Sequence, residues 1–268
     1  MMSAERVRNM VLLSMDTTAK TASVCVSEIK DGVHLPLYEA SINGTLTHSE
    51  TLLPMTDEAL RFSHKSLDEV DVIAVSTGPG SFTGVRIGVA AAKGLSFAMK
   101  NSHVCIPVSS LEGLANNLRL ATGENTVICP VMDARRSQVY NALFSFDGTA
   151  MKRLCEDRLV TAEELRTELC VEYKGKRVLL VGDGAFVAKS VFDRAQDNAF
   201  TYETVSGGLI FQNAFSVAVA ALDHADKWCD GDGKPKAEEY GGKTLSPTYL
   251  RESQAERERN EKCGASEK

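Results

Sequence analysis

The chain has 268 residues, 43% hydrophobic and 25% charged, with 30 Lys+Arg against 36 Asp+Glu and a formal net charge of −6. This mixture excludes collagen-like, low-complexity and wholly disordered chains. The negative average field also argues against a free-standing nucleic-acid binder. The length predicts about two domains with a sizeable core.

The seven cysteines (Cys25, Cys105, Cys129, Cys155, Cys170, Cys229 and Cys263) are widely spread and form no CxxC pair. They fit reduced thiols in a cytosol better than a disulfide framework or a zinc ribbon. The first apolar run, Met10 to Met15, is too short for a signal peptide or a spanning helix. The sequence therefore predicts a cytoplasmic protein with no membrane segment.

Met10–Met15 reads as a buried strand, closed by a turn at Asp16-Thr17-Thr18. Thr21–Ser27 alternates as a second strand, Asp31-Gly32 suits a hairpin turn, and Leu35–Ser41 follows as a third. Thr47-His-Ser-Glu50 has capping-box spacing and opens a helix that Pro54 is expected to kink. Val70–Ser76 is the next strand and Gly78–Gly84 a tight loop. Val85–Met99 is a helix with Thr83 as expected N-cap.

The order then repeats. Thr126–Asp133 is an apolar strand ending in Met-Asp, as Met15-Asp16 ends the first, and Gln138–Phe146 reads as the next strand. Asp147-Gly148 repeats the hairpin signal, and Thr161-Ala-Glu-Glu164 opens a helix. Arg177–Gly184 matches Asp71–Gly78 as a strand running into a glycine turn. Two copies of a β-β-β-α-β-α unit are predicted: residues 10–108 with 211–229 as one domain, and 109–210 as the other. Phe211–Cys229 reads as one final helix. Asp230–Lys243 reads as a linker, Leu245–Arg251 as a short ordered piece, and the charged end beyond it as frayed.

The glycine loop fails the known phosphate-cradle patterns. Val85 stands where a Walker lysine belongs, and Gly78, Gly80 and Gly84 give GxGxxxG. Ser81 lacks the glycines of a nucleophile elbow. Two readings remain: a tight strand-to-helix turn, or a cluster of N–H groups facing an anion or a partner's carboxylate. Gly84, Gly88, Ala92 and Ser96 lie four apart and form a small-residue ridge. That ridge packs either on the chain's own sheet or on another molecule. His48 has no second ligand at helical spacing and no HExxH occurs, so no metal is expected. Asp16 and Asp133 end equivalent strands; they are either turn-forming residues or carboxylates of a nucleotide–metal site.

Four motifs carry a resemblance: Thr47-His-Ser-Glu-Thr-Leu-Leu-Pro54, Ser76-Thr-Gly-Pro-Gly-Ser-Phe-Thr-Gly-Val-Arg-Ile-Gly88, Met132-Asp-Ala-Arg-Arg136 with Val139-Tyr140, and Pro247-Thr-Tyr-Leu-Arg251. Together, and in this order, they are similar to the bacterial TsaB (YeaZ) family, from about Val11 to Arg251. The resemblance implies an α/β fold of the actin/Hsp70/sugar-kinase-like (ASKHA) class. It implies a non-catalytic subunit needed to make threonylcarbamoyladenosine next to the tRNA anticodon. The transferase and its metal would belong to a paralogous partner, TsaD, joined by the ATPase TsaE. The chain would need no cofactor of its own, would form a homodimer without TsaD, and would meet tRNA only through the complex.

The partner face would be two helices, 47–62 and 84–99, carrying His48, Glu50, Leu52, Phe82, Gly84, Val85, Arg86, Gly88, Val89 and Ala92. Charge or bulk at Gly88 or Ala92 would then abolish partner binding while the fold survives. Asp16, Thr17, Thr18 and Asp133 would line a remnant nucleotide cleft with at most weak ATP or ADP binding. The competing reading is an ATP-binding enzyme or protease-like hydrolase on the same fold.

Overall fold

The computed structural model describes residues 9–44, 47–119, 123, 125–148, 150–195 and 197–251. The charged end 252–268, with Cys263, lies outside the described residues.

The first half builds β1 (Met10–Asp16), β2 (Thr21–Lys30), β3 (Val33–Asn43), α1 (His48–Phe62), β4 (Val72–Gly78), α2 (Phe82–Ala98) and β5 (Val104–Ser109). The sheet order is β3-β2-β1-β4-β5. β1–β2 and β2–β3 pair antiparallel, while β1–β4 and β4–β5 pair parallel. The hairpin turn is where the sequence places it, with Asp31 and Gly32 both left-handed (φ 53 and 76) as a two-residue primed turn requires.

After α3 (Ser110–Asn116) the plan repeats with β6 (Thr126–Asp133), β7 (Gln138–Asn141), β8 (Phe144–Phe146), β9 (Met151–Arg153), β10 (Arg158–Thr161), α4 (Ala162–Glu172), β11 (Arg177–Val181), α5 (Ala185–Arg194) and β12 (Thr201–Thr204). The order β10-β7-β6-β11-β12 reproduces the first sheet, with β8 and β9 added beside β6. Such a duplicated order, antiparallel on one side and parallel on the other, is the ASKHA-class α/β architecture expected from the sequence. The single strand predicted over 138–146 is broken at 142–143, and its second piece returns to β6 through Ile128 and Phe144.

The central strands are buried on both faces, so alternate residues feed two cores. Leu13, Met15, Ile73 and Val75 pack under α1 and α2 with Leu52, Met55, Val85, Val89 and Ala92. Leu12, Val72, Ala74, Val104 and Ile106 pack on the other face under α6 (Ala214–Asp223) and α7 (Ala225–Trp228). The final helix is thus two, separated at His224. In the second half, α4 and α5 cover one face through Leu165, Leu169, Ala188 and Phe192, while Leu111, Leu114 and Leu118 cover the other.

Local chemistry explains three departures. Thr161 and Glu164 form a reciprocal capping box, but Thr47 makes no side-chain cap, and its backbone oxygen accepts from Glu50 and Thr51 instead. The N-cap of α2 is Ser81, whose hydroxyl accepts from Gly84 N at 3.3 Å, so the helix begins earlier than Thr83. Residues 230–243, predicted as a linker, lie packed on the first half. Tyr240 O accepts from Cys105 N, and Gly242 is buried against Ser96 and Cys105. Apolar Tyr240 and Ala237 covering the core under α6 and α7 outweigh the polar composition that suggested a linker.

A charged cluster joins the two halves. Glu112 of α3 is 9% exposed and accepts from His224 Nε2 at 2.7 Å and from Arg153 at 3.0 Å. Arg153 also meets Asp157, which accepts from Ser109. The Glu112 hydrogen bond holds His224 above its ordinary pKa, against burial. Glu112 is held low: burial opposes this, but the bond and charge of His224 and the charge of Arg153 prevail. The histidine contribution is therefore complete below about pH 6.5 and lost as pH rises through its folded value. The Glu112 contribution is present above about pH 4.5 and lost as pH falls through its own lowered value. Urea titrations from pH 6 to 8.5 should show wild-type stability falling more than that of His224→Gln; equal slopes would mean that the pair contributes nothing.

Candidate functional site

Two surfaces deserve the name of site: the outer face of α1 and α2, and the cleft between the halves. Both are built on the turn after β1. Asp16 lies 1% exposed. Its Oδ1 accepts from Thr18 N at 2.8 Å and Thr18 Oγ1 at 2.7 Å, and its Oδ2 from Ser76 Oγ at 2.5 Å. Burial raises the Asp16 pKa, while the Ser76 and Thr18 bonds pull it down. Thr17 Oγ1 donates to Gly84 O at 2.7 Å, and Thr18 O accepts from Ser81 N at 2.7 Å.

The turn therefore grips the start of α2, and the glycines make this approach feasible. A Cβ on Gly80 or Gly84 would sit well inside 3.0 Å of the Thr18 or Thr17 carbonyl oxygen. At Gly88 it would lie 2.7 Å from Thr17 Oγ1. Ala92 is fully buried in the first core, and Ser96 abuts Gly242. The small-residue ridge is thus an intramolecular seam, and the glycine loop is a strand-to-helix clasp.

This corrects part of the predicted partner face. Leu52, Gly84, Val85, Gly88, Val89 and Ala92 are buried inside the chain itself. They pack within the chain, and bulk at Gly88 or Ala92 strikes the fold first. His48 is half-buried, with Nε2 2.7 Å from Ala19 O; Glu50 and Arg86 are exposed and Phe82 half-exposed.

Apart from Arg86, the outward side of α2 was not singled out by sequence reasoning. Thr83, Arg86, Ala90, Gly94, Phe97 and Ala98 are exposed there, Phe97 by 66%. Ile87 and Ala91 border them half-buried, and Leu53 of α1 is 51% exposed. The whole helix, FTGVRIGVAAAKGLSFA, contains no acid and only Arg86 and Lys93 as cations. A surface helix ordinarily turns a charged face to water, and an apolar outer face marks a contact surface. The signal was present as the absence of acid, and the presence of only two cations, around the full circumference.

The cleft has a volume of about 600 Å³ and draws walls from both halves. Thr18, Lys20, Ser81 and Thr83 come from the first, and Asp133, Arg135, Arg136, Tyr140 and Asp183 from the second. Of the four residues predicted for a nucleotide remnant, Thr18 and Asp133 line it. Asp16 and Thr17 are turned into the protein. Asp133 accepts from Arg135 N at 2.7 Å, and its own N–H donates to Asp183, whose pKa burial raises. The C-terminal segment crosses the mouth. Thr248 N donates to Thr77 O at 2.7 Å, and Arg251 donates to Ala134 O at 2.7 Å. No group of three His, Cys, Asp or Glu among the described residues could hold a metal ion.

A family model described as TsaD, tRNA N6-adenosine threonylcarbamoyltransferase, matches residues 44–259. The tRNA threonylcarbamoyladenosine biosynthesis protein TsaB of Bacillus subtilis is 30% identical over 187 residues, 69% of this chain and 76% of that protein. The chain belongs to the TsaB family. TsaB of Haemophilus influenzae is 36% identical over 135 residues, 50% of this chain, and the match spans about half (53%) of that protein. YeaZ from Pseudomonas aeruginosa superposes with a TM-score of 0.66 at 23% identity, over 90% of this chain and 100% of that one, and so shares the fold. No helix among the described residues is long and apolar enough to cross a membrane.

Proposed function

We propose that this TsaB family chain acts in tRNA threonylcarbamoyladenosine biosynthesis as a non-catalytic subunit that binds and activates the TsaD transferase in the cytoplasm. The carrying observation is the apolar outer stripe of α2, open to solvent beside Leu53 of α1. The family model also relates the chain to TsaD itself. Two related folds can pair equivalent helices about a pseudo-two-fold axis, and two copies of this chain can pair by the same surface when TsaD is absent. TsaE would join the pair, and tRNA would be held by the complex rather than by this acidic chain.

The clasp supports the same reading. The Asp16 carboxylate accepts from Thr18 and Ser76, Thr17 donates to Gly84, and both residues are buried away from the cleft lining, so neither side chain faces a nucleotide held there. The cleft lined by Lys20, Arg135 and Arg136 would bind ATP or ADP weakly at most.

Gly94 is the informative position, because nothing lies within 4 Å of a Cβ built there. Gly94→Arg should leave the melting temperature within a few degrees of wild type, abolish co-purification with TsaD, and remove threonylcarbamoyladenosine from tRNA nucleosides measured by mass spectrometry. Retention of TsaD binding by a folded Gly94→Arg protein would overturn the interface. Modification of tRNA by the chain alone, or robust ATP turnover by it, would overturn the non-catalytic role.

A further inference from the structure

The segment after Leu245 adds a residue to this surface that the helices do not supply. Tyr249 is 42% exposed and stacks on Phe82, with ring centroids 4.7 Å apart and planes 27° apart. Arg86 lies over the same Phe82 ring at 3.8 Å, and its Nε donates to the Tyr249 hydroxyl at 2.8 Å. The guanidinium is thus fixed on one side by a ring face and at one nitrogen by a phenol oxygen. Its Nη groups stay available, and no carboxylate among the described residues pairs with it. Tyr249 is itself anchored by its neighbours, through Thr248 to Thr77 and through Arg251 to Ala134.

We propose that Tyr249 is a positioning residue for partner recognition, holding Arg86 ready to receive a carboxylate from the TsaD subunit in a two-pronged contact. An arginine held flat by aromatic rings loses little freedom on binding, and its planar fork matches a carboxylate. Exposed aromatic residues and arginine are also the side chains that dominate protein interfaces. A protein carboxylate fits better than an RNA phosphate here. On α2 the surroundings of Arg86 are apolar, with Lys93 the only other cation of the helix. The cations Lys20, Arg135, Arg136 and Arg251, which line the cleft with Phe82 and Tyr249, make a phosphate the competing ligand that the test separates. This inference rests on the TsaD-binding reading above.

The test is a double-mutant cycle on the full chain with purified TsaD as the probe. Affinity would be measured by isothermal titration for wild type, Arg86→Ala, Tyr249→Phe and the double variant. Tyr249→Phe keeps the ring and removes only the bond to Nε. It should weaken binding about 3- to 10-fold, and Arg86→Ala about 10- to 100-fold, in line with hot-spot truncations. The double variant should bind like Arg86→Ala alone, because the hydroxyl acts through the guanidinium.

Additive losses, or an unaffected Tyr249→Phe, would overturn the positioning role. Arg86→Ala that binds TsaD normally but lowers tRNA capture by the complex would assign Arg86 to a phosphate and also overturn it. The Gly94→Arg variant separates the two claims: if it abolishes TsaD binding while Tyr249→Phe is silent, the interface stands and this inference falls.

Discussion

Gly84→Ala is expected to destabilise the protein by about 3 kcal/mol, the upper range for forcing extra atoms into a closed site. The added methyl would meet the Thr17 carbonyl oxygen, a backbone atom that cannot swing aside. The first turn of α2 would have to lift, stretching the bond from Thr17 Oγ1 to Gly84 O. Gly94→Ala provides the opposite sign on the same helix. There the methyl has open space, and replacing an exposed helical glycine stabilises by about 0.5–1 kcal/mol. Paired denaturation curves decide the matter. A Gly84→Ala protein as stable as wild type would mean that the clasp between the Thr17-Thr18 turn and α2 is looser than the structure has it.

Asp16→Ala should cost about 3 kcal/mol or more, because Thr18 N, Thr18 Oγ1 and Ser76 Oγ would all lose their acceptor in a site closed to water. Asp16→Asn keeps an acceptor for Thr18 and can donate to Ser76, so its loss should be about 1 kcal/mol. The ordering Ala far worse than Asn identifies a structural clasp. A residue serving chiefly to hold a nucleotide–metal complex would give two variants of near wild-type stability, each with impaired nucleotide binding. Hydrogen exchange at Val85 N, which donates to Ser81 O, would locate the damage at the start of α2.

The clasp also links the two surfaces. Thr18 lines the cleft, while Thr17 and Thr18 carry the start of the helix whose other side faces solvent. The strap at 248–251 meets the same helix end through Tyr249 and the second half through Arg251. Phe82 and Arg86 are therefore held from both sides of the cleft. Of the predicted partner residues, these two remain at the surface together with His48 and Glu50.

Most of the architecture was legible because its causes are local. Apolar runs at 10–15, 70–76 and 126–133, alternation at 21–27, and Asp-Gly at 31–32 each report a strand or turn through side-chain periodicity and backbone freedom. Their recurrence showed the duplication, and the four motifs showed the family. What periodicity could not reveal was which side of α2 faces inward. The Gly84–Gly88–Ala92 stripe and the Ile87–Ala91–Gly94 stripe are both small and apolar, so no charge contrast distinguishes them. Only the closing of Thr17 and Thr18 over Gly80, Gly84 and Gly88 turns the first stripe inward, leaving Ile87 and Ala91 half-buried at its border and Gly94 exposed. The same holds for Asp16, which ends its strand like Asp133 but points at Ser76 rather than into the cleft. Tyr249 meets Arg86 across 163 positions of sequence, a contact that depends on how the whole chain folds back on itself.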